Sequence, residues 1–170
     1  MRTPATFKRN CAGTTFLETA FAVGLLSVFI AILLTVGSNL LGLLRSSQAN
    51  IAANQVLHER SELIHSANWL QLTDASFLST EFMSFDAESI SELAKPVETI
   101  TVSAYPAKAG MVTQVIRKNG GVTVVTSNPL LKNERMVRVD FSVDWQGAPK
   151  NRARSRMTTC LVSRAGSNKQ

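Results

Sequence analysis

Between Glu18 and Arg45 the chain runs for 26 residues, Thr19 to Leu44, without a charge. As a helix that run would extend roughly 39 Å, which exceeds the ~30 Å hydrocarbon layer of a bilayer and allows for tilt. Its densest part, Ala20–Leu34, reads AFAVGLLSVFIAILL, and Ser27 is the one polar residue there. Hydrocarbon offers backbone groups no water, so a single spanning segment has to be helical. A buried core helix of a soluble domain is normally shorter. The glycines at 24, 37 and 42 would weaken a soluble helix but are ordinary in membrane helices. Orientation follows from the flanks: Arg2, Lys8 and Arg9 precede the run and only Arg45 closely follows it, so the N-terminus is expected to stay cytoplasmic. A cleaved secretory signal would have an apolar core of about 7–15 residues closed by a small-x-small site, and this run is longer and lacks one.

The rest of the composition narrows the function classes. The net charge is +6, but residues 1–13 hold three basic groups and no acid, leaving 15 basic and 12 acidic groups in the remainder. Half of the excess thus sits at the extreme N-terminus, which argues against a generally nucleic-acid-binding chain. At 45% hydrophobic residues the chain has ample material for a core, so disorder is excluded. Its 170 residues suit one domain plus one extra element.

Immediately before the apolar run stands Lys8-Arg9-Asn10-Cys11-Ala12-Gly13-Thr14-Thr15-Phe16-Leu17-Glu18. An ionised acid costs about 2.5–3.5 kcal/mol at the bilayer centre, and less near the interface, so Glu18 calls for a counter-charge. Lys8 and Arg9 are nine or more positions back and do not share its helical turn. A short basic leader ending in Gly, an acid as the fifth residue after it, and then an unbroken apolar helix resembles the type IV pilin and pseudopilin family. The resemblance implies cleavage between Gly13 and Thr14 by a prepilin peptidase, N-methylation of Thr14, and pairing of Glu18 with the terminal amine of a neighbouring subunit. Glycine suits a scissile position because backbone without a Cβ can be approached closely. The chain departs from the usual pattern with Thr14 where a large apolar first residue is common, Leu17 where a β-branched residue is common, and no proline between Thr14 and Lys95. These departures favour a minor subunit over a major one.

Beyond the run, Ala49, Ala52, Ala53, Val56, Leu57, Leu63, Ile64 and Ala67 recur at three- and four-residue spacing, with polar residues opposite. An amphipathic helix ending near Asn68 is expected, with Arg60 at the margin of its apolar stripe. Residues 69–96 read as a connecting loop packed on a sheet, with short helices near 74–80 and 86–94. From there the pattern turns to strands at 98–105, 111–118, 121–127, 134–145 and 152–163, and Asn119-Gly120 signals a hairpin. Val137, Val139, Phe141, Val143 and Trp145 alternate with polar residues. Placing that set opposite Ala153, Met157 and Leu161, with Gln146–Asn151 as the turn, puts Arg152, Arg154 and Arg156 on the outer face. There they would pair with Asp140 and Asp144.

The expected organisation is therefore α+β and pilin-like: a leader at 1–13, a membrane or filament-core helix at 14–44, its amphipathic continuation at 45–68, a connection at 69–96 and an antiparallel sheet domain at 97–165. The helix is expected to pack on the sheet. The resemblance implies a minor pilin or pseudopilin of a type IV pilus or type II secretion system, single-pass in the inner membrane with its C-terminal domain periplasmic, then in the pilus or pseudopilus. Its partners would be the membrane, the peptidase and other subunits. The competing reading is a signal-anchored periplasmic binding or scaffold domain that never polymerises. Arg152, Arg154 and Arg156 form a candidate basic patch, but no aromatic residue is interleaved for base stacking, which disfavours nucleic acid. Cys160 is left without a partner once Cys11 goes with the leader. His58 and His65 are two helical turns apart, too far to share a metal unaided. No HExxH, GxSxG, Walker loop or CxxC occurs, so neither an enzyme, a cofactor nor a metal is expected.

Overall fold

The computed structural model describes residues 12–83, 88–147 and 152–165, and the chain divides into two units, Met1–Leu43 and Leu44–Gln170. Helix α1, Ala12–Ser66, contributes to both. In the first unit its large apolar side chains from Phe16 onward are 47–77% exposed. The most apolar 18-residue window has a mean hydropathy of 2.5 with none of it buried, so the helix is long and apolar enough to cross a membrane. Polar side chains in this stretch turn back on their own helix. Thr19 donates to the carbonyl of Thr15 (2.9 Å), Ser27 to Gly24 (2.7 Å), Thr35 to Ala31 (2.8 Å) and Ser38 to Thr35 (2.9 Å). That is how hydroxyls are accommodated where no water is at hand.

In the second unit the predicted stripe is buried where expected: Ala52, Ala53, Val56 and Ile64 join the core, and Ala49, Leu57, Leu63 and Ala67 pack at its rim. The other side of that core is a five-stranded antiparallel sheet in the order β3-β2-β1-β4-β5, formed by β1 (Val97–Ala104), β2 (Val112–Lys118), β3 (Gly121–Thr126), β4 (Met136–Gly147) and β5 (Arg152–Ser163). One face of β1 and β4 is buried, with Ile100, Val102 and Ala104 beside Val137, Val139, Phe141, Val143 and Trp145. The α+β class is as expected, and the strands match the sequence reading to within two residues. Asn119 and Gly120 both have positive φ, 52° and 77°, the conformation a tight β2–β3 hairpin requires.

Residues 69–96 carry helical turns where short helices were expected, near 74–80 and 86–94, and one more helix before them. They form α2 (Trp69–Thr73), α3 (Ala75–Phe77), a π-helical turn at Leu78–Phe82 and a 3-10 turn at Glu88–Glu92. A capping box explains where this begins. The Asn68 side chain accepts from the Gln71 amide (3.0 Å) and the Gln71 side chain accepts from the Asn68 amide (2.9 Å). Trp69, Leu72, Leu78, Phe82 and Met83 are all buried, and Trp69 donates its indole N–H to the Lys132 carbonyl (3.1 Å). Asn68→Ala should therefore cost about 1 kcal/mol, read as a shift in denaturation midpoint, while Asn68→Asp should cost less.

One register expectation is overturned. Asp140 lies opposite Thr159 and Asp144 opposite Ser155, while Val139, Phe141, Val143 and Trp145 face Cys160, Thr158, Arg156 and Arg154. The pairing is offset by one residue from the expected parity, which transfers every β5 side chain to the other face. Asp140 is instead held by Arg138 Nε (2.9 Å) and Thr159 Oγ1 (2.6 Å). Two features favour the observed parity. Cys160 and Val162 reach the core rim, where Cys160 Sγ lies 3.9 Å from Ser61 Oγ of α1. Gly147 leaves room for Arg154, whose side chain a Cβ at that position would strike. The expected turn at 146–151 falls partly outside the described residues, since β4 continues through Gly147 and β5 begins at Arg152.

Candidate functional site

The N-terminal motif lies on α1. Helical backbone includes Gly13 and Thr14, so the peptide bond expected from the resemblance to be cleaved lies within the first turn of the helix. Glycine is about 1 kcal/mol less favourable than alanine in a helix, which eases local opening at that bond. Most of the expected leader lies outside the described residues. Glu18 is exposed, and among the described residues no basic group meets its carboxylate. It is also the one charged residue between Ala12 and Leu44. A helix that satisfies its hydroxyls internally thus presents a carboxylate near its head with no counter-charge among the described residues.

The charges of the second unit are arranged otherwise. Arg60, expected at the stripe's margin, is fully buried at its centre, one turn from both Val56 and Ile64. Its Nε and Nη2 lie 3.1 and 3.0 Å from Glu98 Oε2 on β1, and its Nη1 donates to the Phe82 carbonyl. Arg117 on β2 completes the group, with Nη1 3.4 Å from Glu98 Oε1 and 3.0 Å from the Met83 carbonyl. The Arg60 guanidinium also lies 5.3 Å from the Phe82 ring centre and 6.0 Å from that of Phe141. Four segments meet there: α1, β1, β2 and the 78–83 turn. In sequence a lone arginine in an apolar stripe is ambiguous. Its match, Glu98, sits in phase with the inward-facing Ile100 and Val102, a signal that could have been read.

Arg152 and Arg156 are exposed and Arg154 is half-buried. Among the described residues none of the three forms an ion pair. Cys160 is half-buried with a free thiol. His58 pairs with Glu62 at 3.3 Å on the exposed helix face, and His65 lies elsewhere on α1. Among the described residues no group of three or more His, Cys, Asp or Glu side chains is placed to hold a metal ion.

No family model, curated protein or solved structure matches this chain.

Proposed function

We propose that the chain is a minor pilin or pseudopilin, a structural subunit of a type IV pilus or a type II secretion system. The observation that carries this reading is Glu18, which meets no basic group among the described residues, near the head of an exposed apolar helical segment. The acid needs a positive partner in an apolar setting, and the amine released by cleavage before Thr14 of another subunit supplies one. The α1-plus-sheet architecture supports it, since the same chain has a segment that suits either lipid or a helical filament core and a folded domain to select neighbours. Bilayer and filament core are both apolar, so the helix can pass between them without meeting water. In this reading the domain is periplasmic and the membrane is the inner one.

Intact mass and N-terminal sequencing test the processing step. The protein from the membrane fraction of cells that express a prepilin peptidase should begin at Thr14 and carry one added methyl group. Gly13→Val should lower processing at least about tenfold, because a branched Cβ obstructs close approach to the scissile bond. A chain that still begins at Met1 would support the non-polymerising anchor instead.

A further inference from the structure

We propose that the free edge of β5 receives an extended acidic segment of another protein, which adds to the five-stranded sheet as a sixth, antiparallel strand. Only the sheet domain is involved, whatever α1 does before Arg45.

The ladder fixes which backbone groups are free. The Met136 carbonyl accepts from Tyr105 and the Gln146 amide donates to Ala94, so even-numbered β4 residues bond toward β1. The Arg135 carbonyl accepts from Arg164, so odd-numbered β4 residues bond toward β5. Antiparallel partners exchange both bonds or neither, so Val143 and Trp145 bond the backbones of Arg156 and Arg154. The amides and carbonyls of Ala153, Ser155, Met157, Thr159 and Leu161 therefore point away from β4. All five residues are exposed, and among the described residues no strand lies beyond them.

Such edges are normally blunted by shortness, proline, a bulge or charge. The opposite edge, β3, has six residues and a register shift against β2. In contrast, β5 has twelve residues, no proline and no shift against β4, so charge is the remaining device. Arg152, Arg154 and Arg156 lie opposite Gly147, Trp145 and Val143 on the helix-facing side, and none meets an acid among the described residues. This row repels a basic strand and disfavours an apolar one, but it matches acids at every second position. Positions opposite the arginines would be the non-hydrogen-bonded pairs of the new ladder, where Cα atoms approach to about 4.5 Å and side chains are closest. The alternate set would lie beside Met157 and Leu161, 59% and 55% exposed on the outer face, which favours apolar residues there. The partner's chemistry is thus an extended run that alternates acidic with apolar side chains. A second copy of β5 carries no acid and cannot supply that run.

The test uses the full chain in neutral detergent micelles and a fluorescent peptide, Val-Glu-Val-Glu-Val-Glu-Val, capped at both ends. Saturable binding is expected by anisotropy. Amide exchange at Ala153, Ser155 and Met157 should slow, while that at Arg154 and Arg156, already in the ladder, should not change. A peptide of the same composition with its Glu residues adjacent, or one N-methylated along the side that meets β5, should bind at least roughly tenfold more weakly. Arg152→Glu/Arg156→Glu should weaken the acidic peptide by roughly tenfold and favour a version with Lys in place of Glu. Ser155→Pro removes one outward amide and no ladder bond, so it should weaken binding with tryptophan emission unchanged. No saturable binding, or equal binding of the rearranged and N-methylated peptides, would overturn the strand addition. Displacement of the peptide by duplex DNA that binds Ser155→Pro equally well would assign the arginines to phosphate. Slowing of the same amides by dimerisation without peptide would assign the edge to a second copy. Either result overturns it too.

Discussion

In the full chain held in detergent micelles, Glu98→Ala is expected to lower the stability of the sheet domain by about 3–5 kcal/mol. The carboxylate is 1% exposed and receives two nitrogens of an arginine that is itself fully buried. Removing it strips a buried guanidinium of its nearest anion, and burying an ion is expensive unless it is paired. Against a typical total of about 5–15 kcal/mol, that loss is severe. Guanidinium unfolding followed through Trp69 and Trp145, both buried in this domain, measures it. Replacing the three charges together, as Arg60→Met/Glu98→Leu/Arg117→Met, should recover much of the loss, because apolar groups of similar volume need no counter-charge. A loss below about 1 kcal/mol for Glu98→Ala would show that the cluster adds nothing to the hold between α1 and the sheet. The cluster joins α1 to β1, β2 and the 78–83 turn, so its expected role is to set how the helix seats on the sheet.

Glu18→Ala should leave membrane insertion intact and remove the protein from filaments. An alanine is cheaper to insert than an acid, so anchoring cannot be what fails. A charge-assisted hydrogen bond contributes about 1.5–3 kcal/mol, which corresponds to roughly 10- to 100-fold in the fraction assembled. Sheared filament and membrane fractions, compared by immunoblot in cells that make the other subunits, give that ratio. Glu18→Gln, which keeps the shape and one acceptor, should fall nearly as far if the charge matters. Undiminished incorporation of the processed Glu18→Ala protein would end the pairing account.

Much of the fold could be read along the chain. The uncharged run and the alanine-rich stripe after it mark α1, because composition and a 3.6-residue period are local properties. Alternation marks β4, and Asn119-Gly120 marks the β2–β3 turn through its backbone conformation. The candidate site, Gly13, Thr14 and Glu18, was picked out by resemblance to a known motif, and its roles remain a proposal. Within the 69–96 connection, the short helices expected near 74–80 and 86–94 match helical turns at 75–82 and 88–92. What was missed was not local: α2 is too short to show a period, and burial of Trp69 and Leu72 gives it its shape. Arg60 was placed at the edge because one charge carries no sign of its partner, and that partner is 38 residues away on another element.

The β5 register shows the boundary most clearly. Either parity satisfies the alternation of β4, and β5 has apolar and polar residues in both of its alternate sets. Matching the apolar set of β4 to Ala153, Met157 and Leu161 chose one parity, yet contact between Cys160 and α1, and the space above Gly147, accompany the other. The amino-acid order by itself determined that an apolar helix precedes an antiparallel sheet domain, and where along that helix the lone acid stands, because hydrophobic period and charge spacing need no neighbours. Only the tertiary structure decided that Arg60 is buried against Glu98 and that Arg152, Arg154 and Arg156 meet no acid among the described residues, because those outcomes depend on side chains brought together from distant parts of the chain.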